Sequence, residues 1–169
     1  MNIEEAIKTS IEYEEKVTDV YNKYANKFES EIGAKIFRLL GKEEDDHVAY
    51  LKAKLAEWQK SGKVSIDEVK TVVPDAKVLK ENVKKLKKIA KQENIDNEIA
   101  YFQKALEMEI KTSNFYKGLV SQLPKEFQPM FERFVEIEEG HEAIVSAEID
   151  NARGLGFWFD FQEFDLESA

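Results

Sequence analysis

Two stretches of this chain place a carboxylate three residues before an imidazole: Glu44-Asp45-Asp46-His47 and Glu138-Glu139-Gly140-His141. Residues three apart share one face of a helix. Each stretch therefore offers one Glu and one His to the same point, as two ligands of one metal ion would. The chain has only two histidines, and both sit in this arrangement. It has no Cys, which excludes disulfides, thiolate-bound zinc, iron–sulfur clusters and a rubredoxin-type centre from this sequence. Metal chemistry here has to run on oxygen and imidazole ligands.

Helical seams position these residues. In the first segment Ile3, Ile7, Ser10, Glu14, Val17, Tyr21, Tyr24 and Phe28 advance by four and three alternately, the buried seam of a bundle helix. Ser30 offers an N-cap for a second helix over 31–61, with the seam Gly33, Phe37, Leu40, Glu44, His47, Leu51 and with Gly62 as terminator. A third helix over 96–121 has the seam Glu98, Phe102, Ala105, Glu109, Thr112, Tyr116, Leu119. Pro124 suits the first position of a fourth helix, although Pro129 allows a later start. Its seam is Phe127, Phe131, Phe134, Glu138, His141, Val145, Ile149, and Gly154 is expected to end it.

Between the second and third helices the rhythm breaks. Ser65-Ile66-Asp67-Glu68 reads as a capping box opening a short helical turn that Pro74 stops. The lysine-rich stretch 77–91 reads as a basic amphipathic helix on the outside of the bundle. The tail from Gly156 to Leu166 alternates aromatics with acids and is too apolar to be left in water. The expectation is a single all-α domain over 1–169, an antiparallel four-helix bundle. It comprises a first hairpin over 1–62, a crossover linker over 63–94, a second hairpin over 95–154 and an aromatic tail over 155–169.

Composition agrees. Seven Gly and three Pro in 169 residues leave few helix breakers. A net charge of −9 argues against general nucleic-acid binding. With no long apolar run and no signal peptide, the expected location is the cytoplasm, away from membranes.

The two halves repeat one design. Glu14 is followed by Tyr21 and Glu109 by Tyr116, each seven residues on; Phe37 precedes Glu44 and Phe131 precedes Glu138 by the same spacing. If antiparallel helices bring Glu14 level with Glu44, their turn falls near residue 29, beside Ser30. For Glu109 and Glu138 it falls beside Pro124. Each carboxylate then lies about 15 residues from its turn, roughly 22 Å along the helix, so the site is at mid-bundle.

Four Glu and two His on core seams cannot be buried without compensation, because an unpaired buried carboxylate is prohibitively costly. Two divalent cations would offset the four charges, with the imidazoles neutral. A donor set of mostly hard oxygen suits iron or manganese better than a structural zinc.

Glu-x6-Tyr twice and Phe-x6-Glu-x-x-His twice, in this order, resemble the ferritin-like superfamily of di-iron carboxylate proteins. Within it the chain is similar to small rubrerythrin-like proteins without a rubredoxin domain, over about residues 1–153. The resemblance implies a di-iron centre held by Glu14, Glu44, His47, Glu109, Glu138 and His141. Glu44 and Glu138 would bridge, and Tyr21 and Tyr116 would orient carboxylates. Two iron ions are the implied cofactor, with manganese or zinc as alternatives. The implied function is an oxidoreductase of peroxidase or ferroxidase type, with O2 or peroxide as oxidant, an external electron-donor protein as partner and a homodimer as assembly. The other reading is an iron-handling or metal-stabilised regulatory protein without turnover. One position departs from the family pattern: rubrerythrins proper carry a further carboxylate one turn after the third-helix ligand, where this chain has Thr112.

Overall fold

The computed structural model describes residues 1–71 and 96–153. The lysine-rich stretch over 77–91, Pro74, Gly154 and the aromatic tail lie outside the described residues.

Four helices make up the described chain: α1 (Ile3–Ala25), α2 (Glu31–Ser61), α3 (Asp96–Val120) and α4 (Gln128–Ala152). Local signals set most of their ends. Asn2 caps α1 by accepting from the Glu5 amide, and the Glu5 carboxylate returns the bond to the Asn2 amide, a reciprocal capping box. Ser30 Oγ accepts from the Gly33 amide at 2.9 Å. Gly62 closes α2 at φ 64°, in the left-handed region where a Cβ is unfavourable.

Two local expectations give way. The fourth helix begins at Gln128 with Pro129 in its first turn; Pro124 instead sits in a separate turn closed by the Phe127 amide on the Pro124 carbonyl at 2.9 Å. Proline is compatible with either place, because both lack a demand for its missing N–H. Likewise, 63–71 forms no helical turn. The side chains of the capping signature bind elsewhere. Buried Lys54 donates to Ser65 Oγ at 2.8 Å and pairs with Asp67, while the Ser65 amide donates to Glu57 at 2.8 Å. One turn of helix is marginal by itself, and the buried Lys54 ammonium draws Ser65 and Asp67 to it in addition to Glu57 at 3.5 Å.

α1 packs on α2, α3 on α4, and α1 on α3. The core residues show the chain directions. Val17, Tyr21, Phe37, Leu40, Phe102, Ala105, Val145 and Ile149 form one apolar layer. Ile3, Ile7, Leu51, Tyr116, Leu119, Phe131 and Phe134 form another. Read along each helix, α1 and α4 run one way and α2 and α3 the other. The end of α2 and the start of α3 thus lie at opposite ends of the bundle, and their connection has to return the bundle's length. A four-helix bundle with one long crossover results.

Candidate metal centre

The seams put Glu14, Glu44, His47, Glu109, Glu138 and His141 between the two apolar layers, and all six are buried, none more than 1% exposed. They form two overlapping groups: Glu14, Glu44, His47 and Glu138, and Glu44, Glu109, Glu138 and His141. Within each group one N or O atom per residue lies within 4.8 Å of the others. Glu44 and Glu138, which belong to both, join them. The imidazoles stack with centroids 5.7 Å apart at 11°.

Both rings turn Nδ1 toward the carboxylates. His47 Nδ1 lies 3.2 Å from Glu44 Oε2, 3.3 Å from Glu14 Oε2 and 3.9 Å from Glu138 Oε1. His141 Nδ1 lies 2.7 Å from Glu44 Oε1 and 3.7 Å from Glu109 Oε2. The 2.7 Å pair is close enough for an ion pair but is not aligned as a hydrogen bond.

The tyrosines cross between hairpins. Tyr21 of α1 donates its hydroxyl to Glu109 Oε1 on α3, and Tyr116 of α3 donates to Glu14 Oε1 on α1. Each carboxylate thus has its outer oxygen held by a phenol and its inner oxygen, Oε2, turned toward a histidine. Gly41 permits this register: a Cβ there would lie 3.0 Å from Tyr21 Cβ. Burial first, then the neighbouring carboxylates, push both phenols well above their ordinary pKa, so both remain hydrogen-bond donors.

Without an ion, protons balance the cluster. Burial, then the Glu44 charge, push the Glu14 carboxyl up to about 8. The same two causes raise Glu109. Glu138 is raised well above the carboxylate range by burial and then by Glu14, Glu44 and Glu109. Burial also opposes charge on Glu44, but the His141 and His47 rings overcome it and hold this carboxylate far below its usual range. Burial lowers the His47 ring, yet Glu14 and Glu44 bring it to about 10. His141 is likewise held well above its usual value by Glu44 and Glu109 against the effect of burial.

Among the described residues, Glu44 Oε1, Glu109 Oε2, both Glu138 oxygens and His141 Nδ1 have no hydrogen-bond partner. These converging buried carboxylate oxygens, with one imidazole in each group, form a donor set that could hold a metal ion in each group. Thr112 is fully buried one turn beyond Glu109, and its hydroxyl also has no partner among the described residues.

Two buried carboxylates have roles that the seam pattern does not disclose. Glu98 lies on the seam but near the turn between α1 and α2, where it accepts from the Glu29 and Ser30 amides at 2.9 and 2.7 Å. Glu43 lies off the seam, yet its Oε2 is 3.5 Å from His141 Nε2 and accepts from the Thr71 hydroxyl. Its only sequence signal is adjacency to Glu44, which in an acidic run carries no information.

No helix among the described residues is long and apolar enough to cross a membrane. No curated protein and no solved structure matches the chain. A family model does, that of rubrerythrin, over residues 5–105. The match takes in Glu14, Glu44 and His47 and stops before Glu109, Glu138 and His141, which the geometry brings to the same cluster. Matched over more than half its length, and with the two buried Glu/His groups in place, the chain belongs to the rubrerythrin family.

Proposed function

We propose that the protein binds two iron ions in the bundle core and acts as an oxidoreductase that reduces peroxide or O2, supplied with electrons by another protein. The observation carrying this reading is the sharing of Glu44 and Glu138 between two four-residue groups in a fully buried cluster. Glu14 and His47 would complete one position, Glu109 and His141 the other, and Glu44 and Glu138 would bridge. Two ferrous ions held there supply two electrons when bound, the number that turns one peroxide and two protons into two waters. The chain's own residues supply the rest. Tyr21 and Tyr116 fix the outer oxygens of Glu109 and Glu14. The apolar layers around Phe37, Phe102, Phe131 and Phe134 exclude water, which strengthens the electrostatics inside.

Stopped-flow absorption of anaerobic, iron-loaded protein mixed with peroxide tests this reading. A ferric band forming on a sub-second scale, and reforming after each addition of reductant, supports it. Oxidation no faster than that of free ferrous ion contradicts it. A second reading, iron handling without turnover, is favoured by Thr112, a hydroxyl where the resemblance leads one to expect a further carboxylate. It predicts one fast oxidation followed by release of iron.

A further inference from the structure

The repeat that builds the centre is broken at a position that touches it. With the offset of 94 that relates Glu44 to Glu138, Glu43 corresponds to Ile137. One residue along a helix is a rotation of about 100°, so Glu43 leaves the seam and reaches α4 from the side. There its Oε2 meets His141 Nε2 at 3.5 Å, the ring nitrogen opposite the one facing Glu44 and Glu109. That distance is long for a hydrogen bond, but the pair is buried, with the His141 side chain at 0% and the Glu43 side chain at 9% exposed, where Coulomb attraction is little screened. The Thr71 hydroxyl donates to the same Glu43 oxygen. Thr71 lies in a strap that includes 63–71 and is fastened to the bundle. Val69 is in the core, its carbonyl accepts from Arg133 at 3.5 Å, and the Tyr50 hydroxyl donates to the Asp67 carbonyl at 3.0 Å.

Among the described residues, the other histidine has no such support. Ile137 offers no acceptor, His47 Nε2 has no hydrogen-bond partner among the described residues, and the His47 ring instead meets Phe134 edge-on at 5.3 Å and 77°. Imidazole ligands are oriented, and made more basic, by an acceptor on the nitrogen that does not bind the metal.

We propose that Glu43, held by Thr71, is a positioning residue for His141 alone, so that the Glu109/His141 position binds its ion more tightly and fills before the Glu14/His47 position. The inference rests on the two-metal reading of the site. With its Nε2–H given to Glu43, a neutral His141 ring would leave its Nδ1 lone pair free for an ion held beside Glu44 and Glu109. Among the described residues, none fixes the His47 ring in this way.

Anaerobic calorimetric titration with Co(II) tests the inference. The unsubstituted chain takes two ions in two resolved steps. Glu43→Gln, nearly isosteric, weakens the tighter step, and Glu43→Ala weakens it further, by about 10–100-fold, the usual cost of losing such an acceptor. The decisive measurement repeats Glu43→Gln in two backgrounds. It still weakens binding in His47→Ala, where the His141 position remains, and has no effect in His141→Ala. A merely structural role for Glu43 would weaken both backgrounds alike. In Zn(II)-loaded protein with labelled histidine, Glu43→Gln shifts the Nε2–H signal of one imidazole and leaves the other in place. Equal effects in both backgrounds, unchanged affinities in Glu43→Gln and Glu43→Ala, or two indistinguishable steps in the unsubstituted chain overturn the inference while leaving the two-metal reading standing. No Co(II) binding at all overturns both.

Discussion

At the scale of single residues, charge and hydrogen bonding in the cluster pull against each other. Glu138 has both oxygens without hydrogen-bond partners and the charges of three other carboxylates nearby. Its nearest favourable contact is the distant pair with His47 Nδ1 at 3.9 Å. Glu138→Gln is therefore expected to leave metal-free stability unchanged or higher, while metal binding is lost. Chemical denaturation with and without metal checks this, and a large loss of metal-free stability would contradict it. Tyr21→Phe has the opposite character. It strips Glu109 Oε1 of its donor in a buried site, at a cost of about 1–3 kcal/mol measurable by urea denaturation. The six Glu and His positions were legible because a seam with 3.5-residue spacing forces them inward. The crossing of the tyrosines was not: Glu-x6-Tyr lies within one hairpin, while each bond runs to the other, and which phenol meets which carboxylate depends on how α1 and α3 pack. Glu43 was illegible for a similar reason, since its role requires the strap and α4 to arrive beside it.

At the scale of elements, the helices hold the site because polar groups fasten their ends. Glu98 of α3 takes the Glu29 and Ser30 amides at the start of α2, where the helix leaves backbone donors unpaired and its dipole favours an anion. The turn of the first hairpin is thereby tied to the second. Glu98→Ala is expected to lower stability by about 1.5–3 kcal/mol, with the loss of amide-exchange protection concentrated at residues 29–33. Uniform loss of protection across all four helices would contradict the local account. Helix existence was legible from periodicity, and the Ser30 and Gly62 boundaries from local capping chemistry. The start of α4 and the strap were not, because two prolines satisfy the same local rule, and because Lys54 takes Ser65 and Asp67 for its own burial.

At the scale of the whole molecule, stability and metal content are linked through protons. In the metal-free chain Glu14 is raised from 4.5 to about 8 and His47 from 6.5 to about 10. Each holds its proton more tightly when folded. Their contributions are complete below the unfolded values and are lost as pH rises through the folded ones. Glu44 works the other way, its contribution being lost only in acid. The metal-free melting temperature is thus expected to fall as pH rises from about 6.5 to about 10. The increment added by metal should grow over the same range, because an ion displaces those protons. A metal-free melting temperature that rises over this range would contradict the charge account. Two ions held between the hairpins by shared carboxylates can be counted. After anaerobic loading with ferrous iron and desalting, two irons per chain are expected, with a large loss in Glu138→Gln despite an intact fold. No retained iron, or two irons retained equally by Glu138→Gln, would contradict that arrangement.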